Sequence, residues 1–286
     1  MKTLITTCLL LAGITAQAQQ PIPFLGSNDR YGLKNQDGKI ILEPKYEGIA
    51  NFSDGLAMVN IGDIMHNNSL YGFIDATGKE VIPLKYRIAW DFRDGLAKVQ
   101  YGYEWGFIDK TDKAVIPFEY MEIDEFSEGL AAAEKEYKWG FIDRDNNVVI
   151  PFRYDGVMGF SEGLSAFSER GKYGFINKSG TTVIEPQFDQ TDNFSEGLCG
   201  VMKDNKWGFI DTSGKLVIPY QYDLIMWSKE GMMGVMENNI WGFIDKTGKQ
   251  ITPIHFLWVE DFKDGKAKVN KDGREFYIDK TGKEVK

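Results

Sequence analysis

A phrase that returns every 34 residues constrains this chain more than any other feature, because the fold must then be one unit used many times. The pair Trp-Gly or Tyr-Gly begins at Tyr31, Tyr71, Trp105, Trp139, Tyr173, Trp207 and Trp241, and every step from Tyr71 onward is 34 residues. The first step is 40, because residues 60–70 are six longer than their counterpart 100–104. An eighth copy falls in phase at Glu275, where the pair has eroded but Tyr277-Ile278-Asp279 persists. Turns of the type Phe-Ser-Glu-Gly-Leu share the register, with glycines at Gly55, Gly95, Gly129, Gly163, Gly197, Gly231 and Gly265. Pro44, Pro83, Pro117, Pro151, Pro186, Pro219 and Pro253 share it too, within one residue.

One copy reads Trp139-Gly140-Phe141-Ile142-Asp143, a turn, Val149-Ile150-Pro151-Phe152-Arg153-Tyr154, and then Phe160-Ser161-Glu162-Gly163-Leu164. In these motifs the chain resembles the bacterial WG-repeat family over nearly all of residues 27–286. The resemblance implies tandem β-rich units, often behind a secretion signal and mostly without an assigned activity. Tyr replaces Trp in three copies and Ser228 replaces the turn phenylalanine in one.

Within a copy, three short segments bounded by turn residues predict a β-meander: Leu130 to Glu134, Trp139 to Asp143 and Val148 to Phe152. Strand alternation puts Trp139, Phe141 and Asp143 on one face and Gly140 and Ile142 on the other. The glycine of each pair, as in Gly106, Gly140, Gly208 and Gly242, suits close approach of a neighbouring strand or ring. Seven residues after each Trp or Tyr stands Gly38, Gly78, Asp112, Asn146, Gly180, Gly214, Gly248 or Gly282. That set tolerates positive φ and predicts a three- to five-residue hairpin loop with a bulge. The proline, lacking an N–H, predicts a strand end or an outer edge.

No copy can bury its rings alone, so Trp105, Trp139, Trp207 and Trp241 are expected between neighbouring copies. Burying one large side chain is worth roughly 1.5–3 kcal/mol, and Trp139→Ala is expected to cost about 3–5 kcal/mol. The fold class is therefore all-β: tandem 34-residue hairpin or meander repeats in an open twisted solenoid, with a closed β-propeller as the alternative. A period that holds three strands, where propeller blades use four, favours the open form.

Residues 1–18 read as a signal peptide: Lys2, an apolar run from Leu4 to Ile14, and Ala16-Gln17-Ala18, with cleavage expected after Ala18. What remains, 19–286, is expected to be a single repeat domain of about eight units, secreted or periplasmic. It keeps one thiol, Cys199, so it has no internal disulfide and depends on packing. Apolar residues at 43% and charged residues at 26% are those of a globular chain. A net charge of −9 argues against nucleic acid, and the lack of a second long apolar run argues against a membrane span.

Chemistry is sparse. Two histidines, His66 and His255, lie far apart, and no phosphate loop, dinucleotide fingerprint or nucleophile elbow occurs. Neither a catalytic residue, a metal site nor a cofactor is expected. Acids recur at Asp75, Asp109, Asp143, Asp211, Asp245 and Asp279, and again before each turn glycine at Asp54, Asp94, Glu128, Glu162, Glu196, Glu230 and Asp264. Because they occur in every copy, they read as turn chemistry: the first set accepting turn N–H groups, the second solvated. Ligand-binding candidates are the aromatics outside the repeat register, Trp90, Trp227 and Trp258, with His66 in the one unit-specific insertion. The function expected is a non-enzymatic secreted scaffold binding a protein or a cell-envelope glycan. A spacer protein and, further off, a hydrolase are the alternatives.

Overall fold

A computed structural model describes residues 20–62 and 68–286, and the regular structure among them is antiparallel β throughout. These residues form eight sheets of three or four strands, each linear in strand order, so none closes on itself. The leader and His66 lie outside the described residues. No helix among the described residues is long and apolar enough to cross a membrane. The chain divides into two compact units, Met1–Val99 with Asp109–Lys113 and Gln100–Ile108 with Ala114–Lys286.

One sheet of the second unit shows how the sequence builds each copy. Its strands are Glu122–Ile123, Ala131–Lys135, Lys138–Ile142 and Val148–Tyr154, in that spatial order. Where the sequence pattern predicts three strands, the structure has four, the extra one being a two-residue strand ahead of the Phe-Ser-Glu-Gly-Leu turn. That turn is a two-residue hairpin, with Glu128 at φ 51° and Gly129 at φ 90° between the bridged Ser127 and Leu130. Two consecutive left-handed residues match the twist of the flanking strands. The loop after Ile142 is the expected bulged form: Asp143 N–H bonds Asn147 O at 3.0 Å and Asn146 sits at φ 64°. All eight occupants of that slot have positive φ.

The proline strand is the outer edge of its sheet, and the proline stands within it rather than at its end. Between the pairs Phe141–Ile150 and Trp139–Tyr154, three residues of the edge strand face Gly140 alone. This bulge fixes the glycine: an added Cβ would lie 2.5 Å from the Ile150 carbonyl oxygen. In one copy Thr252 stands where others carry Ile or Leu, and its hydroxyl takes the Phe243 N–H at 2.9 Å. The regular edge strand is absent there among the described residues.

Cores form between successive sheets in both units. In the first, Leu33 and Tyr46 of one sheet pack with Ala57, Val59 and Ile74 of the next. In the second, Phe141, Ile150 and Tyr154 pack with Phe160, Phe167 and Ile176. Phe141 therefore faces forward, and Ile176, in the position next to its equivalent Phe175, faces back. Each interior sheet is buried on both faces. The phenylalanines two residues after the Trp or Tyr, including Phe73, Phe141 and Phe243, are enclosed as deeply as Tyr86, Tyr120 and Phe92, and more deeply than the tryptophans. Trp105 and Trp207 are buried, but Trp139 and Trp241 are only half-buried. The expected 3–5 kcal/mol loss therefore belongs to Phe141 more than to Trp139.

Candidate ligand cleft along the turns

The recurring acids are engaged in two kinds of hydrogen bonding. At the strand end, Asp75 Oδ1 accepts the Thr77 N–H at 2.8 Å, the Thr77 hydroxyl at 2.6 Å and the Lys79 N–H at 3.1 Å. Asp109, Asp211, Asp245 and Asp279 repeat this pattern. These bonds, led by the hydroxyl, hold the carboxyls below their ordinary range.

The acid before the turn glycine has a role that the sequence reading missed. It is not merely solvated: its carboxylate accepts a backbone N–H from the next copy's turn. Gly95 donates to Asp54 at 2.8 Å, Gly197 to Glu162 at 2.8 Å, Gly231 to Glu196 at 2.8 Å and Gly265 to Glu230 at 3.0 Å. The serine ahead of it reaches the same neighbour, as Ser127 Oγ donates to Phe160 O at 2.6 Å and Ser161 Oγ to Phe194 O at 2.7 Å. Lys178, Lys246 and Lys280 pair with Glu128, Glu196 and Glu230 at 3.0, 3.3 and 3.0 Å. The turns are thus stitched one to the next.

Along this stitched row in the second unit runs a cleft of ≈ 410 Å³, lined by residues of four successive turns, including Ser127, Gly159, Asn193 and Trp227. Ligand sites commonly occupy about 300–1,000 Å³. Trp227 is 54% exposed and sits at its rim. The Asp192 carboxyl interacts with its indole: burial pushes that carboxyl up from its usual range and the indole pulls it back. The sister positions of Trp227 are Asn51, Asp91, Glu125, Gly159, Asn193 and Asp261, so the ring is particular to one copy.

The other candidates are not among its lining residues. Trp90 is 52% exposed, but the Lys98 amine stands 5.3 Å above its ring. Trp258 is half-buried with Lys268 at 5.6 Å. Their ring faces already carry cations, whereas Trp227 has none over it among the described residues. Cys199 is fully buried against Thr191, and burial pushes its thiol up to about 12, so it is a packing residue.

Two exposed tyrosines escaped the sequence reading because they lie inside ordinary hairpin tips. Tyr103 and Tyr137 project from equivalent turns, and Tyr137 holds φ 61°, a conformation that Gly or Asn takes with less strain. Sister turns place Gly171, Asn205, Asn239 and Gly273 there.

No curated protein matches the chain in sequence. In structure it is similar to a eukaryotic initiation factor, at TM-score 0.57 and 12% identity over 94% of this chain and 85% of that one. It is also similar to Kluyveromyces lactis Hsv2p, at TM-score 0.45 and 9% identity over 80% and 92% of the two chains. Dihydro-heme d1 dehydrogenase NirN in complex with DHE gives TM-score 0.44 and 14% identity over 94% and 72%. At such identities the first of these likenesses is one of fold alone. In sequence, the WG containing repeat matches seven times in succession, at residues 31–63, 71–104, 105–139, 139–173, 173–207, 207–239 and 241–274, and the chain belongs to that family.

Proposed function

We propose that this protein is a non-catalytic, exported binding scaffold whose repeats hold a partner-binding surface on their turn row. The observation that carries the reading is Trp227: a ring exposed over a cleft built by four copies, in a chain whose equivalent positions are small or polar. Supporting it, the recurrent carboxylates are spent on turn and inter-copy hydrogen bonds, which makes them structural rather than paired acids. Export rests on the leader-like residues 1–18.

The test is incubation of the full chain with cell-envelope material, followed by separation and assay of both retention and released products. Retention without new reducing ends or free amines is the expected result. Time-dependent product release, reduced in a variant of the cleft, would replace the scaffold with an enzyme. Failure of the chain to be retained by any envelope glycan or protein would end the binding reading.

A further inference from the structure

The turn of Trp227 differs from its sisters in three linked ways. The preceding copy places Asn193 before the turn ring Phe194, which packs on Phe175 at a centroid distance of 5.0 Å. Here the pair is Trp227-Ser228, and Ser228 is buried, bonding Glu196 at 2.7 Å. The core has lost its turn ring, and Met233 lies in that same core, against Phe209, where sister copies carry Ala, Ser or Cys. An aromatic ring has in effect left the interior for the surface while a methionine fills part of its volume. Packing therefore does not require Trp227 to be aromatic.

The remaining lining is mostly small, polar and uncharged. Ser127, Ser161 and Ser195 donate their hydroxyl hydrogens to neighbouring carbonyls, which leaves their oxygens as acceptors. The Asn193 amide has no protein partner among the described residues. Lys229 is the one charged group of the lining. Gly159 leaves the floor open: an added Cβ there would meet only Ser127 Cβ at 3.7 Å. A flat ring face beside amide and hydroxyl groups, with a single charged side chain among them, matches a ligand with an apolar C–H face and a hydroxyl periphery.

We infer that the Trp227 cleft is a subsite for a neutral saccharide, with a pyranose ring stacked on the indole and its hydroxyls bonded to Asn193 and the serine oxygens. The inference rests on the scaffold reading and narrows it to one ligand class. Isothermal titration of the full chain against chitohexaose, cellohexaose, xylohexaose and maltohexaose tests it, alongside Trp227→Ala, Gly159→Glu and Trp90→Ala. Gly159→Glu fills the floor with the side chain that a sister copy carries at Glu125, so it blocks the cleft without touching Trp227. Saturable binding of at least one sugar is expected, weakened at least tenfold by Trp227→Ala and by Gly159→Glu and unchanged by Trp90→Ala. Absence of binding to all four sugars would overturn the inference, as would equal binding by the two cleft variants. If envelope retention survives Trp227→Ala unchanged while the sugars do not bind, the saccharide subsite falls and the scaffold stands. Retention of an envelope protein lost with Trp227→Ala, again without sugar binding, would make the cleft a protein site.

Discussion

Two adjacent turns of the second unit solve the same packing problem differently. At Asn193-Phe194 the ring lies inside, on Phe175, with small Cys199 beside it. At Trp227-Ser228 the ring lies outside, and Met233 occupies the small-residue position instead. The core volume is redistributed between two positions, each 34 residues from its equivalent, and the sheets keep their form. A repeat array can therefore free one aromatic for solvent without giving up its interior, provided the second position changes with the first.

The sharpest way to break this comparison is to remove rings from the two environments. Phe175→Ala deletes a buried ring and should cost about 3–5 kcal/mol, whereas Trp227→Ala should cost about 1 kcal/mol or less because the ring is half in water. Denaturant unfolding of both variants measures the difference. Equal losses would mean that Trp227 is a packing residue after all. Restoring a sister's pattern sharpens the same point. Ser228→Phe alone should overpack the core and cost about 1–3 kcal/mol, while Ser228→Phe with Met233→Ala should recover most of that loss. A double-mutant cycle without coupling would show that the two positions do not share volume.

Much of this was legible in the sequence because it is a matter of phase. The left-handed slot from Gly38 to Gly282, the Phe-Ser-Glu-Gly-Leu turns and the burial of rings between copies all repeat at a fixed offset. Other features were hidden by the same regularity. Alternation assigns Phe141 and Ile142 to opposite faces but does not say that both faces meet a neighbour. Trp139 therefore looked like the core ring, although Phe141 is the one enclosed. A two-residue strand such as Gly156–Val157 leaves no periodic trace. Glu162 looks like a solvated turn residue because its partner, the Gly197 N–H, lies 35 positions on. At the candidate site, Trp227 stood out by breaking phase, but nothing local showed that Gly159 and Asn193, each from a different copy, would share its cleft.

Inter-copy polar contacts extend the comparison at smaller energies. The left-handed slot is Asp or Asn in two copies, and there its side chain accepts the hydroxyl of the preceding copy's tyrosine: Tyr86 to Asp112 at 2.6 Å, Tyr120 to Asn146 at 2.7 Å. Where the slot is Gly214 or Gly282, the preceding residue is Phe188 or Phe256, with no hydroxyl to satisfy. Tyr46, Tyr154 and Tyr222 are in register with Gly78, Gly180 and Gly248 instead: Arg153 donates to the Tyr154 hydroxyl at 2.6 Å, whereas the Tyr46 hydroxyl is buried without a partner among the described residues. Tyr120→Phe should lower stability by about 1 kcal/mol, while Tyr46→Phe should leave it unchanged or raise it. Thermal unfolding of the two variants distinguishes them, and a loss of stability in Tyr46→Phe would refute the pairing.

The turn clasps give the smallest effect and the one most open to solvent. Glu128 and Glu196 lie below the ordinary carboxylate range: for Glu196 the Ser228 hydroxyl leads, and for Glu128 the bonds from Lys178 and Gly163 outweigh the opposing effect of burial. A carboxyl whose folded pKa is depressed contributes stability that is complete above its unfolded value, near 4.3, and lost as pH falls through the folded value. Asp192 and Asp261, raised by burial, carry the opposite sign: each loses part of its contribution as pH rises through the carboxylate range. The depressed acids of the turns and strand ends outnumber these two, so the melting temperature should fall below about pH 4.5 and change little between pH 6 and 8. Since Glu196→Gln keeps an oxygen for the Gly231 N–H but loses the charge, it should flatten part of the acid slope at little cost at neutral pH. An acid slope that Glu196→Gln leaves intact would shift that sensitivity to the strand-end aspartates, whose bonds close on their own loop and join no copy to the next.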